Sequence, residues 1–182
     1  MYDFSHLKSQ IKDTEEWLSK EFGQIRTGRA TPMILDGLSI EVYGAFMAIS
    51  NVATISSEDA RTLRIAPWDS QNIKPIEKAI QTSNLGLSCA TDEKGLRVSF
   101  PPLTTESRTM FVKIAKAKLE EAKVALRQER NKVNDDLGTQ KKDGTMSEDD
   151  VMRAKTEVDK FIKEGTDKLE ILTDKKEQEI LG

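Results

Sequence analysis

The chain has 182 residues, of which 32% are charged and 37% apolar, and its net charge is -3. This length allows one large domain or two small ones, and the composition favours long solvated helices over a thick core. A single cysteine and a single histidine exclude a disulfide framework and a Cys/His metal site, and no run of 18 apolar residues predicts a membrane span. We therefore expect a reducing, cytoplasmic setting with neither a secretion signal nor a membrane contact.

The first predicted helix covers about residues 4–27. Its apolar residues recur at intervals of 3, 4 and 7, which is the spacing of one helical face, and Asp3 or Ser5 could cap its start. The residues on this face are Leu7, Ile11, Leu18, Phe22 and Ile25.

A glycine and a proline follow this helix within the segment IRTGRATP, residues 25–32. Gly28 is expected to end the helix, and Pro32 prevents its resumption. Arg26 and Arg29 then suit the carbonyl end of the helix dipole, and Thr27 could act as a local cap. The same two arginines could equally bind phosphate.

From residue 33 onwards the apolar period changes from helical spacing to alternation, which is typical of half-buried strands. Residues 44–48 are interpreted as a loop, and residues 73–84 as a short helix. Strands are predicted over 38–43, 52–55, 62–66, 87–90 and 96–100.

Two long helices are predicted in the last third of the chain. The first begins after Pro101-Pro102, is capped by Thr104 or Thr105, and runs for roughly 30 residues. The second covers about residues 148–180, and its start resembles a capping box with Asp150 in place of glutamate. Gly165 interrupts this helix at a cost of about 1 kcal/mol against alanine.

Helices of this length need partners in water, and one helix ends before the strand region while another begins just after it. The sequence therefore predicts an α+β protein: a three-helix bundle from residues 1–30 and 105–182, with a small β/α/β sandwich domain, residues 31–104, inserted between its helices. Two short connectors could form either a hinge or a fixed elbow. They comprise Ala30, Thr31 and Pro32 in one crossing, and Pro101, Pro102, Leu103 and Thr104 in the other.

Charge is distributed unevenly along the chain. Residues 105–134 carry a net charge of +4, whereas residues 135–182 carry -5. On a helical projection, five cations of the first long helix share a sector of about 100° beside the apolar face. A solvated face with a chance excess of lysine is one interpretation, and a surface that neutralises phosphates of folded RNA is the other. We call these five residues the cationic stripe: Lys113, Lys116, Lys123, Arg127 and Arg130.

Two other classes of function remain open on the residues alone. A helical adaptor would expose apolar positions to bind another protein's helix. An enzyme would need a catalytic group, and the candidates are weak: His6 suits a helix surface, Cys89 suits a strand core, and the acids at 148–150 suit a helix start. No catalytic residue, metal site or glycine-rich phosphate loop is predicted.

Five ordered motifs together resemble the ribosome recycling factor family, across nearly the whole chain. They are IRTGRATP at 25–32, EKAI with NLGL at 77–87, PPLT at 101–104, ALRQER at 125–130 and SEDD at 147–150. The resemblance implies an L-shaped molecule that mimics tRNA, binds the post-termination ribosome chiefly through large-subunit rRNA, and acts with elongation factor G. The expected outcome is dissociation of the subunits and release of mRNA and tRNA. The factor is expected to be a monomer without a cofactor, since GTP is used by elongation factor G.

The resemblance also implies which residues bind rRNA. Arg26, Arg29, Arg108, Arg127 and Arg130 match family positions, and Lys113, Lys116 and Lys123 extend the same face. The chain departs from the family pattern at Ser107 and Asn131, where a second basic residue is usual, and at residues 44–48, where Thr-Pro repeats are common.

Overall fold

The computed structural model describes residues 2–182. Its α-helices are α1 (Ser5–Gln24), α2 (Ile73–Thr82), α3 (Thr105–Lys142) and α4 (Glu148–Leu181), and its strands are β1 (Ser39–Val42), β2 (Ala45–Ala48), β3 (Ala53–Asp59), β4 (Thr62–Pro67), β5 (Ser88–Asp92) and β6 (Gly95–Ser99). The fold is α+β, as predicted.

The chain forms two compact units. One comprises the residues up to Phe22 together with Lys113–Glu177, and the other comprises Gly23–Val112 together with Gln178–Gly182. The domain boundaries at residues 30 and 104, and the L shape, stay predictions.

The first unit is the helical bundle, built from α1, α3 and α4. The apolar stripes predicted for these helices are buried where they face one another. Buried side chains include Leu7 and Leu18 of α1, Ala115, Ala122, Leu126, Val133 and Leu137 of α3, and Val151, Ala154, Val158, Ile162 and Leu169 of α4.

Gly165 lies where α4 packs closely against both other helices of the bundle. A Cβ atom added to it would lie 2.8 Å from Cγ2 of Ile11 in α1 and 3.4 Å from Cδ1 of Leu126 in α3. Helix α4 continues through this position without a break. The prediction that Gly165 interrupts the helix is therefore wrong, because the residue allows close helix packing.

The caps predicted at the three helix starts are confirmed, whereas Thr27, three residues beyond the end of α1, bonds only to the backbone of Arg29. The backbone N–H of Ser5 donates to Oδ1 of Asp3 at 2.9 Å, and that of Ser107 donates to Oγ1 of Thr104 at 3.1 Å. At the start of α4, Ser147 Oγ accepts from the N–H of Asp150 at 3.2 Å and donates to Oδ2 of Asp150 at 2.7 Å. Each cap satisfies a donor that the first helical turn would leave unpaired.

The second unit contains two antiparallel sheets and helix α2. The larger sheet has the strand order β3-β4-β6-β5, and β1 pairs with β2 in the smaller one. Helix α2 contacts β1, β5 and β6, and it buries Ile76 and Ile80 against them. The core between these layers also includes Leu35, Ile40, Ile49, Leu63, Ile65, Leu96, Val98 and Phe100.

The prediction of a loop at residues 44–48 is wrong. Residues Ala45–Ala48 form strand β2, in which Ala45 pairs with Val42 across a two-residue turn. Tyr43 and Gly44 have φ angles of 54° and 76°, which is the left-handed pair that a tight hairpin turn requires. Tyrosine is uncommon in that conformation, so the hairpin was not evident from the sequence.

The end of the first helix also differs from the prediction. Helix α1 ends at Gln24, and Gly28 does not have the positive φ expected of a terminating glycine. Residues Ile25, Arg26 and Thr27 leave the helix and are at most 8% exposed. Burial of this segment in the second unit outweighs its helical periodicity, because tertiary packing overrides a local pattern.

Candidate nucleic-acid interface

All five residues of the cationic stripe lie on α3 within the helical bundle. They follow the edge of its buried face, and the helix carries them at intervals of three, four and seven residues. Their side chains differ in accessibility: Arg127 and Lys116 are each 62% exposed, Arg130 is 46% exposed and Lys123 is 24% exposed.

Three of the five cations form ion pairs with acids of α4. Nζ of Lys116 lies 3.4 Å from Oε1 of Glu177, Nζ of Lys123 lies 2.7 Å from Oε1 of Glu170, and Nε of Arg130 lies 3.4 Å from Oδ1 of Asp159. We call these three pairs the ion-pair ladder. As the cations advance along α3, their partners move back along α4, as expected for antiparallel helices joined by a short turn.

The ladder changes the interpretation of the stripe. Lys116, Lys123 and Arg130 are spaced by seven residues, which places them beside the packed seam between two helices, where charged pairs commonly flank a coiled-coil core. Part of the charge excess on α3 therefore has a structural explanation. The projection of α3 alone could not reveal this, since the partners lie on α4, but the spacing of seven residues along α3 was a usable signal.

Lys123 is the most strongly paired member of the ladder. Its ammonium donates to Glu170 at 2.7 Å and lies 3.8 Å from a carboxylate oxygen of Glu120. The hydrogen bond to Glu170 is the largest cause of its raised pKa. Lys123 thus stays protonated at neutral pH, and its charge is largely balanced within the bundle.

Lys113 and Arg127 form the outer edge of the stripe. Nη2 of Arg127 is 3.9 Å from Oε2 of Glu120, at the limit of an ion pair, and its Nε donates to the carbonyl of Lys123 at 3.3 Å. The side chains of Arg127 and Glu120 are both more than 60% exposed. Lys113 is exposed, and among the described residues its side chain has no ion pair or hydrogen bond. These two cations are the most available to a phosphate.

Arg26 has a structural role that the sequence did not predict. Its side chain is 8% exposed, Nη1 donates to the carbonyl of Leu85 at 2.7 Å and Nη2 donates to that of Pro101 at 2.9 Å. The guanidinium also lies 5.7 Å from the ring centre of Phe100. Burial lowers the pKa of Arg26. An accessible cation was expected here, and that expectation is corrected: the charge of Arg26 is directed into the unit.

Arg29 and Arg108 differ in whether the guanidinium is bonded within the protein. Arg29 is exposed, and within residues 2–182 its guanidinium has no hydrogen-bond or ion-pair partner. Nη1 of Arg108 donates to the carbonyl of Ile180 at 2.7 Å. Arg108 therefore satisfies a carbonyl in the last turn of α4, where a cation also complements the helix dipole.

The two predicted connectors both lie inside the second unit. Ala30 is buried, and its N–H donates to the carbonyl of Ala60 at 2.8 Å. Pro32 begins a short 3-10 turn, and Thr104 caps α3. Thr31, Pro101 and Pro102 are exposed and Leu103 is half-buried, and a hinge at these residues stays a prediction.

The candidate catalytic residues lie in ordinary structural settings. Burial, with a smaller contribution from Glu77, raises the pKa of Cys89 to about 11, so its thiol is protonated at neutral pH and a poor nucleophile. His6 is exposed, and Glu148 accepts a hydrogen bond from Lys141. In the described chain, no three His, Cys, Asp or Glu side chains are grouped so as to hold a metal ion.

Across residues 2–182, the structure contains no helix with the length and apolar character needed to span a membrane.

Comparison with protein families gives one match over most of the chain. The family model described as ribosome recycling factor matches residues 18–181. A ribosome-recycling factor from Bifidobacterium adolescentis is 41% identical over 174 residues, which is 96% of this chain and 95% of the relative. Another from Halalkalibacterium halodurans is 42% identical over 174 residues, covering 96% of this chain and 94% of the relative.

Solved structures give a consistent result. The solution structure of a ribosome recycling factor aligns with a TM-score of 0.75 and 29% identity, covering all of this chain and 99% of the other. A second match comes from models of the T. thermophilus ribosome recycling factor and the E. coli elongation factor G bound to the E. coli post-termination complex. It aligns with a TM-score of 0.68 and 38% identity, covering 98% of this chain and 97% of the other. The chain therefore belongs to the ribosome recycling factor family, which consists of non-enzymatic translation factors.

Proposed function

We propose that this protein binds the post-termination ribosome and, together with elongation factor G and GTP, separates the subunits so that mRNA and tRNA leave. The family membership supports the role, and the T. thermophilus relative bound with elongation factor G to a post-termination complex supports the two partners. In this proposal GTP is bound and hydrolysed by elongation factor G. The protein itself acts as a monomer in the cytoplasm, without a cofactor.

The contact with large-subunit rRNA is proposed to run along α3. The observation that carries this proposal is the exposure of Lys113 and Arg127 on the outer edge of the cationic stripe. From Lys113 to Arg130 the stripe spans 17 residues, or about 26 Å at 1.5 Å per residue, which is enough to follow several phosphates of a folded RNA. Arginine and lysine both suit phosphate, the former through paired hydrogen bonds.

The mode of recognition follows from the side chains that the stripe carries. Its five residues are all cations, without an aromatic ring on which bases could stack. Such a surface contacts the phosphate backbone and is selected by the shape of the RNA rather than by its bases. Arg29 is proposed as a separate rRNA contact on the second unit.

For the other predicted rRNA-binding residues we propose either a contact that requires an ion pair to open or an indirect effect. Each of Lys116, Lys123 and Arg130 would bind phosphate in place of the α4 acid with which it is paired. For Arg26 and Arg108 we propose an indirect effect on rRNA binding, since neither residue is exposed and each guanidinium donates to a backbone carbonyl.

A ribosome-splitting assay tests the function directly. Post-termination ribosomes would be incubated with elongation factor G and GTP, with and without this protein, and subunit dissociation followed by light scattering. We expect splitting when all three components are present and little when any one is omitted. Undiminished splitting without this protein, or none with it, would contradict the proposal.

A further inference from the structure

The acids of the ion-pair ladder lie in one row on α4. From Asp159 to Glu170 is eleven residues and from Glu170 to Glu177 is seven, which correspond to about three and two helical turns, so the three carboxylates share one edge of the helix. Each carboxylate lies within 3.4 Å of a cation of the stripe.

We propose that Asp159, Glu170 and Glu177 act as an internal substitute for phosphate, which competes with RNA for three cations of the stripe and thereby limits affinity for nucleic acid. The inference rests on the proposed rRNA-binding role of α3, and it adds residues on a second helix that determine how strongly this surface binds.

The chemistry of the competition is direct. A carboxylate presents negatively charged oxygens as acceptors to lysine or arginine, as a phosphate does. A cation that is already paired contributes little net positive charge to its surroundings. RNA that binds there must displace the carboxylate or accept its repulsion, so it releases fewer counterions for each contact.

The ladder is weak enough to be opened. Two of its pairs are separated by 3.4 Å, and in every pair at least one side chain is 48% or more exposed. Exposed ion pairs of this kind contribute little to stability and are screened by salt. An RNA that aligns several phosphates with α3 could therefore displace the three carboxylates, whereas an RNA that aligns few phosphates would gain little affinity.

A matched pair of triple variants tests the proposal. The ladder variant is Asp159→Asn with Glu170→Gln and Glu177→Gln. The control variant is Asp167→Asn with Glu157→Gln and Glu164→Gln, which removes the same three charges from exposed α4 positions that have no ion-pair partner in the described chain. Binding to isolated large ribosomal subunits and to a random-sequence RNA duplex would be measured from low to moderate salt for the full-length proteins, after thermal melting has established that each is folded.

We expect the ladder variant to bind both probes at least about tenfold more tightly than the control at low salt. Its plot of log affinity against log salt should be steeper by roughly two units, because up to three cations become available. Glu170→Gln alone should give about a third of the change in slope, and it serves as the folded substitute should the triple variant melt early.

Equal affinities and slopes for the ladder and control variants would overturn the proposal and leave the ladder a purely structural feature. If the ladder variant gains affinity for the duplex but neither it nor the wild type binds large subunits, the competition stands and the proposed ribosomal function fails.

Discussion

Arg26 shows how one residue can fit a functional motif and still serve the fold. It lies between an apolar residue and Thr27 in a motif rich in cations, which suggests a phosphate contact. Its two acceptors are 59 and 75 residues away in the chain, so no local pattern could predict them. Arg29, three residues later, is exposed and is therefore accessible for the phosphate contact that the motif suggests.

Replacing Arg26 with lysine should destabilise the second unit. Lysine keeps the charge but cannot reach two carbonyls at once with a planar fork, so one part-buried acceptor loses its partner at a cost of about 0.5–1.5 kcal/mol. Arg29→Lys is the matched control, with an expected change of less than about 0.5 kcal/mol. Urea denaturation of both variants measures the difference, and equal midpoints would show that the hydrogen bonds of Arg26 contribute nothing.

Among the secondary-structure elements, the long helices α3 and α4 were predicted well, whereas the β1-β2 hairpin and the end of α1 were not. The extents of α3 and α4 follow from long apolar stripes and from caps at Thr104 and Ser147, which are local signals. The β1-β2 hairpin was missed because Tyr43 adopts an uncommon backbone conformation. The early end of α1 was missed because the packing of residues 25–27 in the second unit is a tertiary effect.

Two helix glycines in different surroundings allow a comparison of packing with helix propensity. A Cβ at Gly165 would lie 2.8 Å from a methyl group of Ile11, whereas nothing lies within 4 Å of one at Gly138 in α3. Gly138→Ala should stabilise the bundle by about 0.5–1 kcal/mol, through propensity alone. Gly165→Ala should destabilise it by roughly 1–2 kcal/mol, because overpacking exceeds the same propensity gain.

The two alanine variants should change the free energy of unfolding in opposite directions, and thermal and urea unfolding measure this change. Stabilisation by Gly165→Ala would mean that Ile11 moves aside without cost and that the close approach of the helices at this position is not required.

For the molecule as a whole, the distribution of exposed groups bears on the class of function. An adaptor needs a contiguous apolar surface. On α4 the exposed apolar side chains Met152 and Ile171 are 19 residues and about 28 Å apart along the helix, whereas on α3 Met110 and Ile114 are one turn apart. Exposed apolar side chains in such small numbers are normal on a protein surface. Charge is the more organised feature, since α3 carries the cations and α4 their acidic partners.

The sequence predicted the residues of the cationic stripe, but not their division into paired and available members. That division depends on how α3 and α4 pack side by side, which a projection of one helix does not contain. It places most of the expected RNA affinity on the outer edge of the stripe, at Lys113 and Arg127.

The most direct test of the central claim is the salt dependence of binding to large ribosomal subunits when this outer edge is reversed in charge. The test variant is Lys113→Glu with Arg127→Glu. The control is Lys20→Glu with Arg153→Glu, which makes the same change of charge at exposed positions of α1 and α4. We expect the test variant to lose at least about tenfold in affinity and its salt slope to fall by roughly two units, with a much smaller effect in the control. If the two variants bind alike, with the slope of the wild type, the cationic stripe is a solvated helix face and not an rRNA-binding surface.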